Sequence, residues 1–200
     1  GYFVGKTITH QIPPDIKTLA DVLHWAGAQL EEAGCFYGHG TDNAFDESAA
    51  LLCFALQLAP EALQNNALLP LDDQRKQRLW TLIQRRISKK IPSAYITCET
   101  RFAGLPFYID TRVLIPRSPM AELIEDEFKP WIASMENASV LELGTGSGCI
   151  AQATAVHNPG AQVLAVDIDP EALRVAQINL QKFALQQRGK FLLSDWFAGI

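Results

Sequence analysis

Val140-Leu141-Glu142-Leu143-Gly144-Thr145-Gly146-Ser147-Gly148, followed by Val163-Leu164-Ala165-Val166-Asp167, carries the residue types and spacing from which chemistry can be read. An apolar run that ends in three alternating glycines reads as a strand, then a sharp turn with room for a ligand against the backbone. Cys149 to His157 then reads as a helix whose first N–H groups would meet a ligand carboxylate. Asp167 closes a second apolar strand, nineteen positions after Gly148. There a carboxylate can accept hydrogen bonds from both hydroxyls of a ribose. The pair selects S-adenosylmethionine. A dinucleotide loop wants glycine at its first, third and sixth positions, and the sixth from Gly144 is Cys149, whose Cβ would stand where the helix must pack closely. Asp169-Pro170-Glu171 marks the next helix start, so Asp169 takes the cap and Asp167 the ribose.

These strands need a scaffold, and the first half of the chain supplies helices. Thr18 caps one with Leu19, Val22, Leu23, Ala26 and Leu30 on one side, ending near Gly34. Asn43 caps a second, which runs through Leu52, Cys53 and Leu56 to Pro60. Asp72 begins a third, with Arg75, Arg78, Arg85, Arg86 and Lys89 on one side and Trp80, Ile83, Ile87 and Ile91 on another. From Ile96 to Ile115 the residues turn β-branched and aromatic, and Ala103-Gly104-Leu105-Pro106 between two extended runs reads as the turn of a hairpin. Met120 to Trp131 reads as helix, and strand, loop and helix then alternate through Val140, Val163 and Phe191. The expected class is α/β: a helical bundle over 1–95, a β-hairpin connector over 96–117, and the opening of a Rossmann-like parallel sheet over 118–200.

Composition narrows the classes further. The 200 residues are 48% hydrophobic and 20% charged, and their formal net charge is −5. That balance describes a globular chain and argues against one that grips nucleic acid, DNA above all, over its whole surface. No apolar run approaches the roughly 20 residues of a membrane span, and Gly1 to Pro14 lacks a basic stretch followed by an apolar one, so a cytoplasmic location is expected. Cys35, Cys53, Cys98 and Cys149 fit neither a zinc spacing nor a redox pair and are expected to be buried, reduced thiols, with no metal site. Cys149 follows Gly148 at a helix start, where a thiol pKa can fall, yet methyl transfer from a sulfonium needs no enzyme nucleophile.

Read together, the motifs resemble the HemK-type glutamine side-chain methyltransferases over nearly the whole chain. The shared segments are Ile91-Pro92-Ser93-Ala94-Tyr95, the hairpin Arg101-Phe102-Ala103-Gly104-Leu105-Pro106-Phe107-Tyr108-Ile109-Asp110, Val113-Leu114-Ile115-Pro116-Arg117, the glycine loop, and Ser194-Asp195-Trp196-Phe197. Ser118-Pro119-Met120-Ala121-Glu122-Leu123-Ile124 and Tyr37-Gly38-His39-Gly40-Thr41-Asp42-Asn43 look like the branch known as PrmB, which methylates a glutamine of large-subunit ribosomal protein uL3. The resemblance implies a class I methyltransferase domain ending, here, after its third strand. It also implies that Glu142, Gly144, Thr145, Gly146, Ser147, Gly148, Asp167, Asp195 and Trp196 hold the cofactor, with Trp196 against the adenine.

Phe102, Phe107, Pro116 and Arg117 are the residues it would bring to the substrate. Equally, the two phenylalanines could form a hydrophobic seam between domains and Arg117 could pair with Glu122. The implied partner is uL3 or a large-subunit assembly particle, and the basic side of the third helix is either a solvated face or a local contact with ribosomal RNA or an acidic partner. In the family an Asn-Pro-Pro-Tyr segment after the fourth strand holds the glutamine amide. The 200 residues do not contain it. The expectation is therefore a fragment with no catalytic residue of its own, the catalytic segment lying beyond Ile200. Two alternatives stand beside this reading: a nucleic-acid amino-methyltransferase, and a non-catalytic module that docks on ribosome assembly particles.

Overall fold

The computed structural model describes residues 11–38 and 41–200, which fall into two compact units, 1–97 and 98–200. His39 and Gly40 of the Tyr37–Asn43 segment lie outside the described residues.

The first unit is helical. Helix α1 (Leu19–Glu32) opens on a capping box: Thr18 and Asp21 each accept the other's backbone N–H, and Gly34 follows the last turn at φ 61°. Helix α2 (Ala44–Leu56) is capped by the Asn43 side chain. It stops at Leu56 because Gln57 turns left-handed, and a short α3 (Pro60–Asn65) starts afresh with proline in its first turn. The helix expected to continue to Pro60 thus ends at Leu56, and Pro60 opens the next one. Helix α4 (Asp73–Lys89) is capped by Asp72, and α5 (Ser93–Thr97) closes the unit. The core joins Leu19, Val22, Leu51, Leu52, Leu79, Trp80, Ile83 and Ile96.

One basic residue of α4 is misread by periodicity. Arg86 is buried, not part of the exposed basic side, because Nε donates to the buried Glu47 carboxylate and Nη2 donates to the Phe36 carbonyl at 2.6 Å. Its position along the helix borders the apolar stripe, where a guanidinium can be covered once an acid and a carbonyl satisfy it. Arg75, Arg78, Arg85 and Lys89 remain exposed.

The second unit begins with a hairpin of β1 (Glu99–Phe102) and β2 (Leu105–Tyr108). Its turn is two residues, Ala103 and Gly104, both at positive φ, which matches the right-handed twist of the strands. Pro106 lies opposite Arg101, a position whose N–H points away from the partner, so its missing donor costs the ladder nothing. Helix α6 spans only Met120–Glu125. The expected helix to Trp131 fails because Pro130 would clash with the preceding turn, and Glu127 and Phe128 instead adopt left-handed conformations.

The sheet is parallel, in the order β3 (Ser139–Leu143), β4 (Gln162–Asp167), β5 (Gly189–Leu193). Helices α7 (Cys149–His157) and α8 (Pro170–Lys182) form the crossovers. In central β4, Val163, Ala165 and Val166 are all buried, as a strand flanked on both edges and covered by helices requires. His157 Nε2 donates to the Ala103 carbonyl at 2.8 Å, which ties the hairpin turn to the end of α7.

Candidate functional site: the strand ends of the parallel sheet

The C-terminal ends of all three parallel strands meet at one edge. The N–H groups of Gly144 and Thr145 donate to the Val166 carbonyl at 2.8 and 3.0 Å, which folds the glycine loop over the end of β4. The N–H of Ser194 donates to the Asp167 carbonyl at 3.0 Å, which brings the end of β5 alongside. Gly144–Gly148, Asp167 and Asp195-Trp196 thereby stand together, in the crevice where open α/β sheets take ligands.

The loop is built differently at its two ends. Gly144 and Gly146 have φ of 71° and 57°, and a Cβ added to either would meet nothing within 4 Å. The backbone there faces open space, a cradle that side chains would fill. Gly148, at φ 78°, faces the interior: an added Cβ would come within 2.5 Å of Gln152 Nε2 and 3.1 Å of the Ala176 Cβ. Its glycine lets α7 pack against α8, while the first two leave room for a ligand.

Gly148 is also the N-cap of α7 and has no side chain to offer. Glu142 supplies the missing acceptor from the end of β3. Its Oε2 accepts the Ala151 N–H at 3.0 Å and the Thr145 hydroxyl at 2.7 Å. Burial pushes this carboxyl up to about 7, with the nearby Asp167 adding to the rise and the two donors opposing it. Asp167 is half-buried. Its Oδ2 accepts the Gly146 N–H at 2.8 Å and its Oδ1 the Asp169 N–H at 2.9 Å, so each oxygen keeps a lone-pair direction for a further donor. Asp169 Oδ1 caps α8 through the Glu171 N–H at 2.8 Å.

Ser194 shapes the third strand end. Its hydroxyl donates to the Trp196 carbonyl and accepts the Gly199 N–H, both at 2.9 Å. A second turn follows directly, in which the exposed Ile200 donates its N–H to the Phe197 carbonyl at 3.2 Å. Trp196 stands at φ 51° with its residue 66% exposed, so the indole is an open surface and not a core side chain. Cys149 is buried, accepts a hydrogen bond from the Ser147 hydroxyl, and has a thiol that burial pushes up to about 12, which removes it as a nucleophile at neutral pH. Cys35 and Cys53 are likewise buried and Cys98 only half-buried, and none of the four forms a disulfide. Among the described residues no group of acids, histidines and cysteines could hold a metal, and no helix is long and apolar enough to cross a membrane.

Four residues were expected at the substrate. Phe102 and Phe107 are 6% and 0% exposed and belong to a core with Ile124, Cys149 and Ala153. The Phe107 ring lies 4.9 Å from that of Phe183. Both rings therefore lie in the interior of the second unit. Pro116 is half-buried and Arg117 exposed. Arg117 makes no ion pair among the described residues, so the expected pairing with Glu122 is not formed. The route from hairpin to Arg117 is fixed by Asp110, which accepts the Tyr108 hydroxyl at 2.9 Å and the Arg112 guanidinium. Arg112 beside it holds that carboxyl down at about 2.

With this geometry in hand, the relatives are informative. A family model described as PrmC N-terminal domain matches residues 21–97, and one described as Methyltransferase domain matches 134–200. Against the ribosomal protein uL3 glutamine methyltransferase of Neisseria meningitidis serogroup A, the chain is 41% identical over 192 residues, 96% of this chain and 63% of that protein. The protein of the same name from Xanthomonas campestris pv. campestris is 39% identical over 186 residues, 93% of this chain and 60% of that one. Over more than nine tenths of its length the chain is thus similar to ribosomal protein uL3 glutamine methyltransferases, and its helical segment matches the PrmC N-terminal domain. The chain spans less than two thirds of the length of these relatives. Among solved structures, the METTL16 MTase domain matches at 20% identity and a TM-score of 0.39, over 73% of this chain and 56% of that one. The fold is identified by the methyltransferase-domain match and by the parallel order β3-β4-β5.

Proposed function

We propose that the strand-end site holds S-adenosylmethionine and that the whole protein methylates a glutamine side-chain amide of ribosomal protein uL3, free or within a large-subunit assembly particle. The observation that carries this is the convergence of an open glycine cradle, Asp167 and the exposed Trp196 at one sheet edge. Relatives about 40% identical that bear that name support the substrate.

Backbone N–H groups at the loop and the start of α7 would receive the cofactor carboxylate. Asp167 would accept the ribose hydroxyls, and Trp196 would lie against the adenine with Asp195 beside it. The bound cofactor supplies an electrophilic methyl group on a positively charged sulfur. Glu142 and Asp167 make the surroundings of that charge negative, and ionised Glu142 would add most above pH 7.

A glutamine amide nitrogen is a poor nucleophile because its lone pair is delocalised into the carbonyl. Catalysis therefore depends on orientation and directed hydrogen bonds. Pro116 and Arg117 are the residues of this chain we assign to the substrate side; Phe102 and Phe107 serve it only through the core. The Asn-Pro-Pro-Tyr segment that the family uses to hold the amide is not among the 200 residues, and we assign it to the part of the whole protein beyond Ile200. The helical unit would read the substrate in the cytoplasm, and the exposed Arg75, Arg78, Arg85 and Lys89 of α4, on one helical side, favour a local contact with ribosomal RNA.

Calorimetric titration and steady-state kinetics of the full-length protein test the assignments together. Asp167→Ala is expected to weaken S-adenosylmethionine by at least about tenfold, the loss of hydrogen bonds to a charged acceptor. Arg117→Ala is expected to lower turnover with cofactor affinity unchanged. Wild-type affinity in the first variant, or wild-type kinetics with only a lower melting temperature in the second, would remove those residues from the site.

A further inference from the structure

Asn179 belongs to no part of the site so far described, yet both ends of its side-chain amide are engaged. The residue is wholly buried on α8. Its Oδ1 accepts the Tyr108 N–H at 2.7 Å, and its Nδ2 donates to the Tyr108 carbonyl at 2.9 Å and to the Ser147 carbonyl at 3.1 Å. The two bonds to Tyr108 follow from the hairpin register. A two-residue turn closed at Phe102 and Leu105 makes Glu99 opposite Tyr108 a non-hydrogen-bonded pair, so Tyr108 presents its N–H and carbonyl away from β1. Asn179 fills that place as a strand partner would.

The third bond reaches the glycine loop. Ser147 directly precedes Gly148, whose missing side chain leaves the loop against Ala176, one turn earlier on the same face of α8. Ala176 is small enough to admit the loop, and Asn179 then fixes the peptide between Ser147 and Gly148. We infer that Asn179 is a positioning residue for the cofactor: it locks the loop backbone and the hairpin strand to α8 in one arrangement, so that cofactor affinity depends on an amide that never touches the cofactor. The inference rests on the reading of the loop as the S-adenosylmethionine site.

The test compares three variants in the full-length protein. Asn179→Ala removes the amide. Asn179→Asp keeps its shape but sets a carboxylate against two carbonyl oxygens. Asn158→Ala is the control, since Asn158 is as buried and donates to the Ile124 and Thr154 carbonyls without touching the loop. Titration with S-adenosylmethionine is expected to show about a tenfold loss of affinity in Asn179→Ala, of the kind that displacement of a binding group from outside the site produces. Asn158→Ala should lower the melting temperature comparably and keep Kd within about twofold. In Asn179→Asp, affinity relative to wild type should recover on acidification, because a protonated acid can again donate. Hydrogen exchange in Asn179→Ala should rise together at Tyr108 and across 146–148.

Equal losses in the alanine variants, or wild-type Kd in Asn179→Ala, would overturn the inference. Should Asn179→Ala not fold, a flat pH ratio for Asn179→Asp would do the same. If the wild type binds no S-adenosylmethionine, the cofactor reading fails by itself. The exchange data then still decide, with unchanged protection at either segment refuting the coupling.

Discussion

Glu142 shows how one side chain links folding and site. Because burial raises its folded pKa to about 7 from an ordinary 4.5, the folded protein keeps a proton that the unfolded chain has released between those values. The stability this contributes is full below pH 4.5 and is lost as pH rises through 7. Glu142→Gln should therefore flatten the stability profile across that window. Above pH 7 the variant should exceed wild type by up to about 3 kcal/mol, measured by denaturant unfolding as a function of pH. A variant that retained the wild-type slope would show that another group titrates there. At this scale the sequence was partly legible. Asp167 and Asp169 could be told apart because Asp-Pro-Glu is a helix start, and the second acid was therefore spoken for. The capping role of Glu142 was not legible, although Gly148 at the head of a helix implies that some other residue must supply an acceptor. Asn179 left no signal, since an asparagine inside an amphipathic helix carries no sign of what it meets.

Among elements, caps were read best and helix ends worst. Thr18, Asn43, Asp72 and Asp169 all cap as their residue types dictate. The break at Gln57 depends on a left-handed turn by a residue that rarely adopts one, so local preference could not locate it, whereas Pro130 marks in the sequence that the helix from Met120 cannot reach Trp131. Arg86 was missed because periodicity assigns an arginine to water unless its partner is known, and Glu47 is thirty-nine residues away. Breaking that pair leaves a buried carboxylate uncompensated. Arg86→Met is expected to cost about 3–5 kcal/mol. The double variant with Glu47→Leu should recover much of it, because two apolar groups leave no charge behind. Equal stability of single and double variants would mean that the arginine's bond to the Phe36 carbonyl, and not the ion pair, is what matters. Phe102 and Phe107 are buried in a core whose partners, Ile124, Cys149 and Ala153, lie far along the chain, so the hairpin's own sequence could not show that packing.

For the whole molecule, the alternation of strand, loop and helix after Val140 announced the parallel sheet, and its order follows from short crossovers between neighbouring strands. The unit boundary at Thr97 and Cys98 places the hairpin with the sheet-bearing half, where Asn179 and His157 hold it. The hairpin read in the sequence as a connector is thus built into the unit that carries the glycine loop. The substrate is the part of the account that rests on kinship, and one measurement addresses it. Labelled methyl groups from S-adenosylmethionine would be offered, by the full-length protein, to large-subunit particles that lack the modification, with protein and RNA counted separately and the 200-residue chain run in parallel. Label is expected in one ribosomal protein, on a glutamine amide of uL3, with none from the 200-residue chain. Label in RNA, or equal transfer by the 200-residue chain, would contradict that expectation.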